Sequence, residues 1–544
     1  MFGDGFVAAV MTGERIYLYD TTLRDGAQTQ DVDFSVADKI AIAEELDRLG
    51  IDYVEGGWPG ANPTDDQFFA EPPRLSRAIF TAFGMTRRTG RSAANDPQLT
   101  TLIQSSAKAV CLVGKSWDFH VDMALGIPRE ENIHLIADSI AAVKAAKGEA
   151  LFDAEHFFDG YKRNPAYATA CITAAYEAGA RWISLCDTNG GTLPHEIDEI
   201  VRRVIDEHEI PGERLGIHTH NDTENAVANS IAAVRAGVRL VQGTINGLGE
   251  RCGNANLISL IPTLMLKMGY ETGIKSEDLT KLTALSHRFD ERLNRATNRH
   301  AAYVGTSAFA HKGGLHVSAV EKDPTSYEHV PPESVGNRRQ IVMSDQAGRS
   351  NIIARLREIG MEVAPGDARL PKLLDLVKQR DTEGYAYDTA EASFELLVRN
   401  QLGEVPSYFE LLRFHVTDER RYNANGELVI ESEAVVRVRV GNEIRHEVAA
   451  GNGPVNALDQ AMRRALEPLY PLLGGVKLVD YRVRILAAKA GTAAMPRVLI
   501  RSQNGDGTEW STLGVSTNII EASMEALVDS YTYKLFKGAA VPRA

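Results

Sequence analysis

Leu215-Gly-Ile-His-Thr-His-Asn-Asp222 decides how the rest of the chain is read. Its first part, Leu215–His220, is a short apolar run that reads as a strand, and the stretch ends in groups that ligate, ionise or donate hydrogen bonds. Seven further short runs rich in β-branched or aromatic residues read as strands: Arg15–Asp20, Asp52–Glu55, Ala78–Phe83, Ala109–Val113, Leu151–Glu155, Trp182–Cys186 and Leu240–Ile245. Helix-length amphipathic segments separate most of them. One is expected to take Ser35 as its N-cap, run through Ile40, Ala43 and Leu46, and stop at Gly50. Eight strand–helix units in about 250 residues predict a closed (β/α)8 TIM barrel better than an open doubly wound sheet. No GxGxxG motif succeeds the first strand, which weighs against a dinucleotide site.

The residues just past the strands are more telling than the strands themselves. The first strand runs into Asp20-Thr-Thr-Leu-Arg-Asp25, the second ends at Glu55, the fifth at Glu155-His156 and the sixth at Asp187-Thr-Asn189. The eighth leads into Asn246-Gly-Leu-Gly-Glu-Arg-Cys-Gly-Asn254. Barrel enzymes carry their chemistry at these C-terminal strand ends. His218 and His220 are two apart on a strand, so both side chains share a face, roughly 6–7 Å apart along it. An isolated pair of this kind is usually just packed or solvated. Here Asp25 adds a carboxylate after strand one. Asn254 adds a carbonyl oxygen after strand eight, the neighbour of strand one once the barrel closes. Two nitrogens and two oxygens, with positions left open, suit one six-coordinate magnesium, manganese, cobalt or zinc ion.

Arg24 is a candidate clamp for an anionic substrate, because a guanidinium grips a carboxylate through two hydrogen bonds. Its alternative is a salt bridge at the barrel mouth with Glu250. Thr188 offers a hydroxyl to the same carboxylate, and Asp187 either orients a neighbour or reacts. Glu155 reads as a general base, or as a structural carboxylate paired with Arg24 or Lys162. His316 ends the insertion His311-Lys-Gly-Gly-Leu-His316. Gly313 and Gly314 give that backbone the freedom of a loop that folds over a site, although a lone loop histidine is usually polar surface.

The chain has 544 residues, 44% hydrophobic and 24% charged, the composition of an ordinary globular protein of two or three domains. Three parts are expected: a catalytic barrel over 1–287, a helical linker region over 288–403 carrying the His316 loop, and a C-terminal α+β regulatory domain over 404–544. No apolar run reaches the roughly 20 residues that span a bilayer, so no membrane partner is expected. The stretch Met1–Met11 is apolar but lacks the basic residue of a secretory leader. Cys111, Cys171, Cys186 and Cys252 form no CxxC pair, so neither a disulfide framework nor a zinc knuckle is indicated and a cytoplasmic setting is the default. A net charge of −14 excludes a typical nucleic-acid binder. Any phosphate-bearing ligand must then be held by local cations or helix N-termini.

After Tyr408 the pattern changes to antiparallel strands and repeats. Strands near 409–416, 429–440 and 443–449 precede a helix at 454–466, and strands near 476–487, 497–502 and 511–515 precede a helix at 518–533. Two βββα copies predict a pseudo-twofold module, a common setting for a ligand at a repeat or subunit interface.

Four motifs in order, Thr22-Leu-Arg-Asp-Gly26, Gly216-Ile-His-Thr-His-Asn221, Asn246–Asn254 and Ala308-Phe-Ala-His-Lys-Gly-Gly-Leu-His316, resemble the acyl-CoA condensing metallolyases. That family contains the 2-isopropylmalate, homocitrate and citramalate synthases, and the resemblance covers essentially the whole chain. Val113-Gly-Lys-Ser-Trp-Asp118, Asp153-Ala-Glu-His-Phe-Phe-Asp-Gly160 and Cys186-Asp-Thr-Asn-Gly-Gly191 look most like the citramalate branch. The resemblance implies condensation of pyruvate with acetyl-CoA as co-substrate, on the way to isoleucine. It also implies a homodimer and isoleucine as feedback inhibitor. Asp25, His218, His220 and Asn254 fall on the metal ligands, Arg24 and Thr188 on contacts to the oxo acid. Glu155 and His316 fall on the pair that removes the acetyl methyl proton, and Tyr327 on a supporting hydroxyl. Some relatives carry an aspartate where this chain has Ser318, which leaves the partner of His316 open. The alternatives are 2-isopropylmalate synthase, then homocitrate synthase or a catalytically silent amino-acid sensor.

Overall fold

The computed structural model describes residues 13–342, 349–364, 366–422, 424–486 and 494–543. Eight parallel strands close into a barrel in sequence order: β1 (Tyr17–Asp20), β2 (Tyr53–Gly57), β3 (Ile79–Met85), β4 (Ala109–Lys115), β5 (Ala150–Glu155), β6 (Trp182–Asp187), β7 (Leu215–Thr219) and β8 (Leu240–Gly243). Closure is made by β1 against β8, with Tyr17 opposite Leu240 and Asp20 opposite Gly243. β7 and β8 end short of the predicted His220 and Ile245. The reason is the chain after β8, which turns at Asn246 (φ 56°) and folds back, so that His220 bridges antiparallel to Asn254 and Thr244 parallel to Asn256.

The helix α1 (Val36–Leu49) shows how local sequence positions these units. Ser35 accepts from the Asp38 amide, and the Asp38 carboxylate returns the bond to the Ser35 amide. Ile42, Ala43, Leu46 and Leu49 bury toward the strands. Gly50 ends the helix with φ 112°, and a β-carbon there would lie 2.4 Å from the Gly273 carbonyl oxygen. Only glycine fits both demands.

Inside the barrel, alternation sorts the side chains into layers. Tyr19, Tyr53, Leu151, Trp182 and Leu240 form an apolar floor, where the Trp182 indole donates to the Tyr53 hydroxyl at 3.0 Å. Toward the C-terminal strand ends the inward positions turn polar: Glu55, Asp153, Ser184, His218 and Gln242 are all buried.

The chain divides into two compact units, residues 13–309 with Glu328–Arg339, and Ala310–Tyr327 with residues 340–543. In the second unit His316 does not sit on a loop. Gly313 is extended (φ −71°) and caps a helix over Gly314–Lys322. Val317, one turn in, is buried with Ile341 and Ala354, and that apolar contact holds the segment helical.

The predicted repeat is present. Strands Glu410–Tyr422, Leu428–Val440 and Glu443–Gly451 form one antiparallel sheet followed by helix Pro454–Leu466. Strands Lys477–Leu486, Met495–Gln503 and Glu509–Val515 form another, followed by helix Ile519–Lys537. The first strand of each copy is irregular at the same place, between Leu411 and Arg413 and between Leu478 and Asp480. Both helices and sheets share one core built on Val436, Val438, Leu458, Met462, Val498, Ile500 and Leu527. Among the described residues no helix is long and apolar enough to cross a membrane.

Helix Glu391–Gln401 packs beside helix Ile519–Lys537, and between them lies Asp529, which accepts from Ser393 Oγ at 2.6 Å. Burial pushes its carboxyl up to about 7, against the Ser393 hydrogen bond and with help from Glu525. A folded pKa above the unfolded value of about 3.9 means stability is complete below that value and is lost as pH rises toward 7. Asp529→Asn is expected to remove that loss and raise the unit's melting point at pH 8 by roughly 2–8 °C, with little effect at pH 4. Equal shifts at both pH values in a calorimetric scan would contradict it.

Candidate active site at the C-terminal mouth of the barrel

Asp25, His218 and His220 bring one potential ligand atom each to within 4.8 Å of one another, all buried. His218 Nε2 lies 3.3 Å from Asp25 Oδ2 and 3.2 Å from His220 Nε2. Asp25 Oδ1, His220 Nδ1 and both side-chain polar atoms of Asn254 are buried without a hydrogen-bond partner. Unpaired polar atoms this deep are costly, and a cation held by the lone-pair donors among them would lower the cost. The donor set, a carboxylate, two imidazoles and an amide oxygen, suits a divalent ion.

The orientation of His218 is set from behind. Gln242 donates through Nε2 to Asp153 Oδ1 and to Ser184 Oγ, both at 2.7 Å, which turns its Oε1 toward His218 Nδ1 at 2.8 Å. Nδ1 must then carry a proton, which leaves Nε2 as the ring atom that faces Asp25 and His220. Burial alone would lower the His218 pKa, but the hydrogen bond and charge of Asp25 outweigh it and raise it. His220, buried beside His218, is pushed down to about 3. Burial works to raise Asp25, yet Arg24 and His218 hold it well below the usual carboxylate range.

Arg24 pairs with Glu55, not Glu250: Nε donates to Glu55 Oε2 at 2.7 Å, and a second nitrogen lies 3.3 Å from Asp25. Its guanidinium lies 3.9 Å over the Phe83 ring, and Glu55 is held in turn by the Tyr19 hydroxyl at 2.7 Å. The Arg24 fork is therefore fixed before any ligand arrives. Glu155 pairs with Lys115, not with Arg24 or Lys162, which bonds Glu196 instead. Thr188 Oγ accepts from the His156 amide at 2.9 Å. Asp187 accepts from Thr192 and Asn229, the behaviour of an orienting residue, and burial raises it to about 6.

One cavity of about 280 Å³ is lined by Arg24, Asp25, Phe83, Lys115, Glu155, Thr188, His218 and His220, among others. His316 and Tyr327 belong to the second compact unit, where their rings stack with centroids 4.3 Å apart. Sequence periodicity alone does not single out Gln242 or Lys115. The signal is parity: each lies two residues from an inward-facing neighbour (Leu240 and Val113), so a polar side chain there must enter the barrel.

A closed parallel barrel with a carboxylate–dihistidine cluster at its mouth defines a class, and residues 15–285 match the HMGL-like family. Residues 303–383 match the homocitrate synthase post-HMGL domain-like family, and 388–535 the LeuA allosteric (dimerisation) domain. The chain is 50% identical over 526 residues to the (R)-citramalate synthase of Aquifex aeolicus, covering 96% of this chain and 98% of the relative. It is 52% identical over 524 residues to that of Geobacter sulfurreducens, with coverage of 96% and 98%. For that of Synechocystis the identity is 47% over 528 residues, with coverage of 96% on both sides. The chain belongs to the (R)-citramalate synthase family.

Gln242→Leu keeps the side-chain bulk but strips partners from Asp153, Ser184 and His218. Buried groups left unpaired cost about 1–3 kcal/mol each, so with three of them a loss of at least ~3 kcal/mol is expected. A urea midpoint for the barrel unchanged from wild type would show that the chain of bonds is not structural.

Proposed function

We propose that the enzyme condenses acetyl-CoA with pyruvate to give (R)-citramalate and CoA, in the cytoplasm, as a step toward isoleucine. The observation that carries this reading is the buried cluster of Asp25, His218 and His220, with Asn254 bridged to His220 and with unpartnered atoms on Asp25, His220 and Asn254, at the mouth where Arg24, Thr188 and Glu155 line one cavity. Asp25, His218, His220 and Asn254 would hold one divalent ion: magnesium, manganese, cobalt or zinc. When bound, such an ion polarises the ketone of a 2-oxo acid as a Lewis acid.

Arg24, fixed by Glu55 and Phe83, and the Thr188 hydroxyl orient the oxo-acid carboxylate. Glu155, with His316 and the Tyr327 hydroxyl supporting, takes a proton from the thioester methyl group. The enolate carbon attacks the ketone carbon, and hydrolysis of the resulting thioester releases CoA. A space of about 280 Å³ walled by Trp58, Phe83, Met85 and Val113 favours an oxo acid with a short side chain. The functional division corresponds to the three parts 1–287, 288–403 and 404–544, with the last as regulatory and dimerising domain. Its sheets expose Ile430 (66%) and Ile485 (61%), apolar surface that fits burial in a homodimer.

Free-thiol release from acetyl-CoA across a panel of 2-oxo acids tests the reaction. Pyruvate is expected to exceed 2-oxoisovalerate and 2-oxoglutarate by at least tenfold in kcat/KM, since displacing a rigid wall costs several kcal/mol. Equal values for pyruvate and 2-oxoisovalerate would reassign the substrate.

Isoleucine is the expected feedback ligand of the βββα module, acting through a coupling of ~1–3 kcal/mol. Titration should show inhibition by isoleucine but not by leucine or valine at equal concentration. Inhibition by none of the three would remove the sensor role.

A further inference from the structure

Lys115 ends β4 and Glu155 ends β5, and the two residues are direct neighbours across the parallel pair. Their side chains form an ion pair at the barrel mouth. Besides the 280 Å³ cavity, a second cavity of about 630 Å³ opens in the same unit, and the two share Trp58, Met85, Val113, Lys115 and Glu155 as their common wall. Any thioester whose methyl group reaches Glu155 must lie against this wall.

The other cations facing the smaller cavity are already engaged. Arg24 is tied to Glu55 and Asp25. Arg251 is tied to Asp222, Glu250 and the Thr188 carbonyl. Among the described residues Lys115 has one carboxylate partner, Glu155.

We propose that Lys115 is a catalytic residue that stabilises the enolate oxygen of the acyl thioester, taking over the negative charge that Glu155 gives up. The inference rests on the reading of Glu155 as the base. In that step a C–H bond of the methyl group breaks and its proton bonds to a Glu155 oxygen. The C–H electron pair becomes the C=C bond, and the carbonyl π pair moves onto the thioester oxygen. Before the step the negative charge sits on Glu155; after it, on the enolate oxygen. An ammonium within reach of both keeps a cation beside the anion throughout, so no charge is separated in a poorly solvated wall. Lysine suits this exchange because it is a compact charge with three rotatable donors, one for Glu155 and one for the thioester oxygen. When the enolate carbon attacks the ketone, the thioester carbonyl re-forms and Lys115 is released from that charge.

The test compares Lys115→Met, Lys115→Arg, Glu155→Gln and the double variant Lys115→Met/Glu155→Gln in the full-length enzyme. Readouts are kcat, the KM for acetyl-CoA and pyruvate, and deuterium uptake into the acetyl-CoA methyl group. Lys115→Met is expected to lower kcat and methyl exchange together by about 10²–10³-fold, the usual loss on removing one oxyanion donor. The KM for pyruvate should stay within about threefold, and Lys115→Arg should recover at least tenfold of the lost rate. A double variant at least tenfold slower than Glu155→Gln shows that Lys115 acts on the thioester and not only through Glu155. A double variant no slower than Glu155→Gln, or methyl exchange in Lys115→Met within threefold of wild type, overturns the proposal. Unimpaired exchange in Glu155→Gln overturns the base assignment and this inference with it; lost exchange there beside normal Lys115→Met overturns this inference alone. Circular dichroism checks each fold, and Lys115→Gln replaces the methionine variant if that one does not fold.

Discussion

Closure of β1 against β8 is the contact on which the site depends. Asp25 comes just after the first strand and Asn254 after the last, more than two hundred residues apart in the chain. Four paired positions, Tyr17–Leu240 to Asp20–Gly243, turn those distant ends into neighbours. The loop after β8 adds the second constraint. It turns at Asn246 and returns to bridge His220, which places Asn254 opposite the second histidine. Without closure, the histidines at the end of β7 and the carboxylate after β1 would lie on opposite sides of an open sheet.

A barrel interior is normally filled with branched apolar side chains. Here only the floor is apolar, and it is largely aromatic. Above it Asp153, Ser184, His218 and Gln242 are buried and joined by short hydrogen bonds, and buried Glu55 is held by Tyr19 and Arg24, so these polar groups are satisfied on their inner side. A network that is satisfied on its inner side and unsatisfied at Asp25, His220 and Asn254 has its cost confined to the place where a cation would lower it. Rigidity comes from the same arrangement: Arg24 and His218 are each fixed by a partner that is fixed in turn.

In the second unit the two βββα copies share a core, and the helical segment before them is fastened to the second copy by polar bonds. Ser393 bonds Asp529 at 2.6 Å, and Tyr385 bonds Glu525 at 2.6 Å. These bonds join helix Glu391–Gln401 and its preceding turn to helix Ile519–Lys537. A half-buried acid held by one hydroxyl makes that junction sensitive to pH, whereas the apolar core of the repeat is not.

The strand–helix alternation, the cap at Ser35, the stop at Gly50 and the two βββα copies were legible because each rests on local periodicity or on one residue's backbone preference. Parity put His218 and His220 on one face, and the strand ends marked where ionisable groups gather. The pairing of those groups was not legible. That Arg24 takes Glu55 instead of Glu250, that Glu155 takes Lys115, and that Gln242 orients His218 depends on which strands become neighbours and how far each side chain reaches. The helix at Gly314–Lys322 is another such case: two glycines read as freedom, while the burial of Val317 against Ile341 and Ala354 decided otherwise. Local sequence determined the elements and their faces because those energies are short-ranged. Only the closed tertiary structure decided the partners, because a buried charge pairs with whatever the fold brings within a few ångströms.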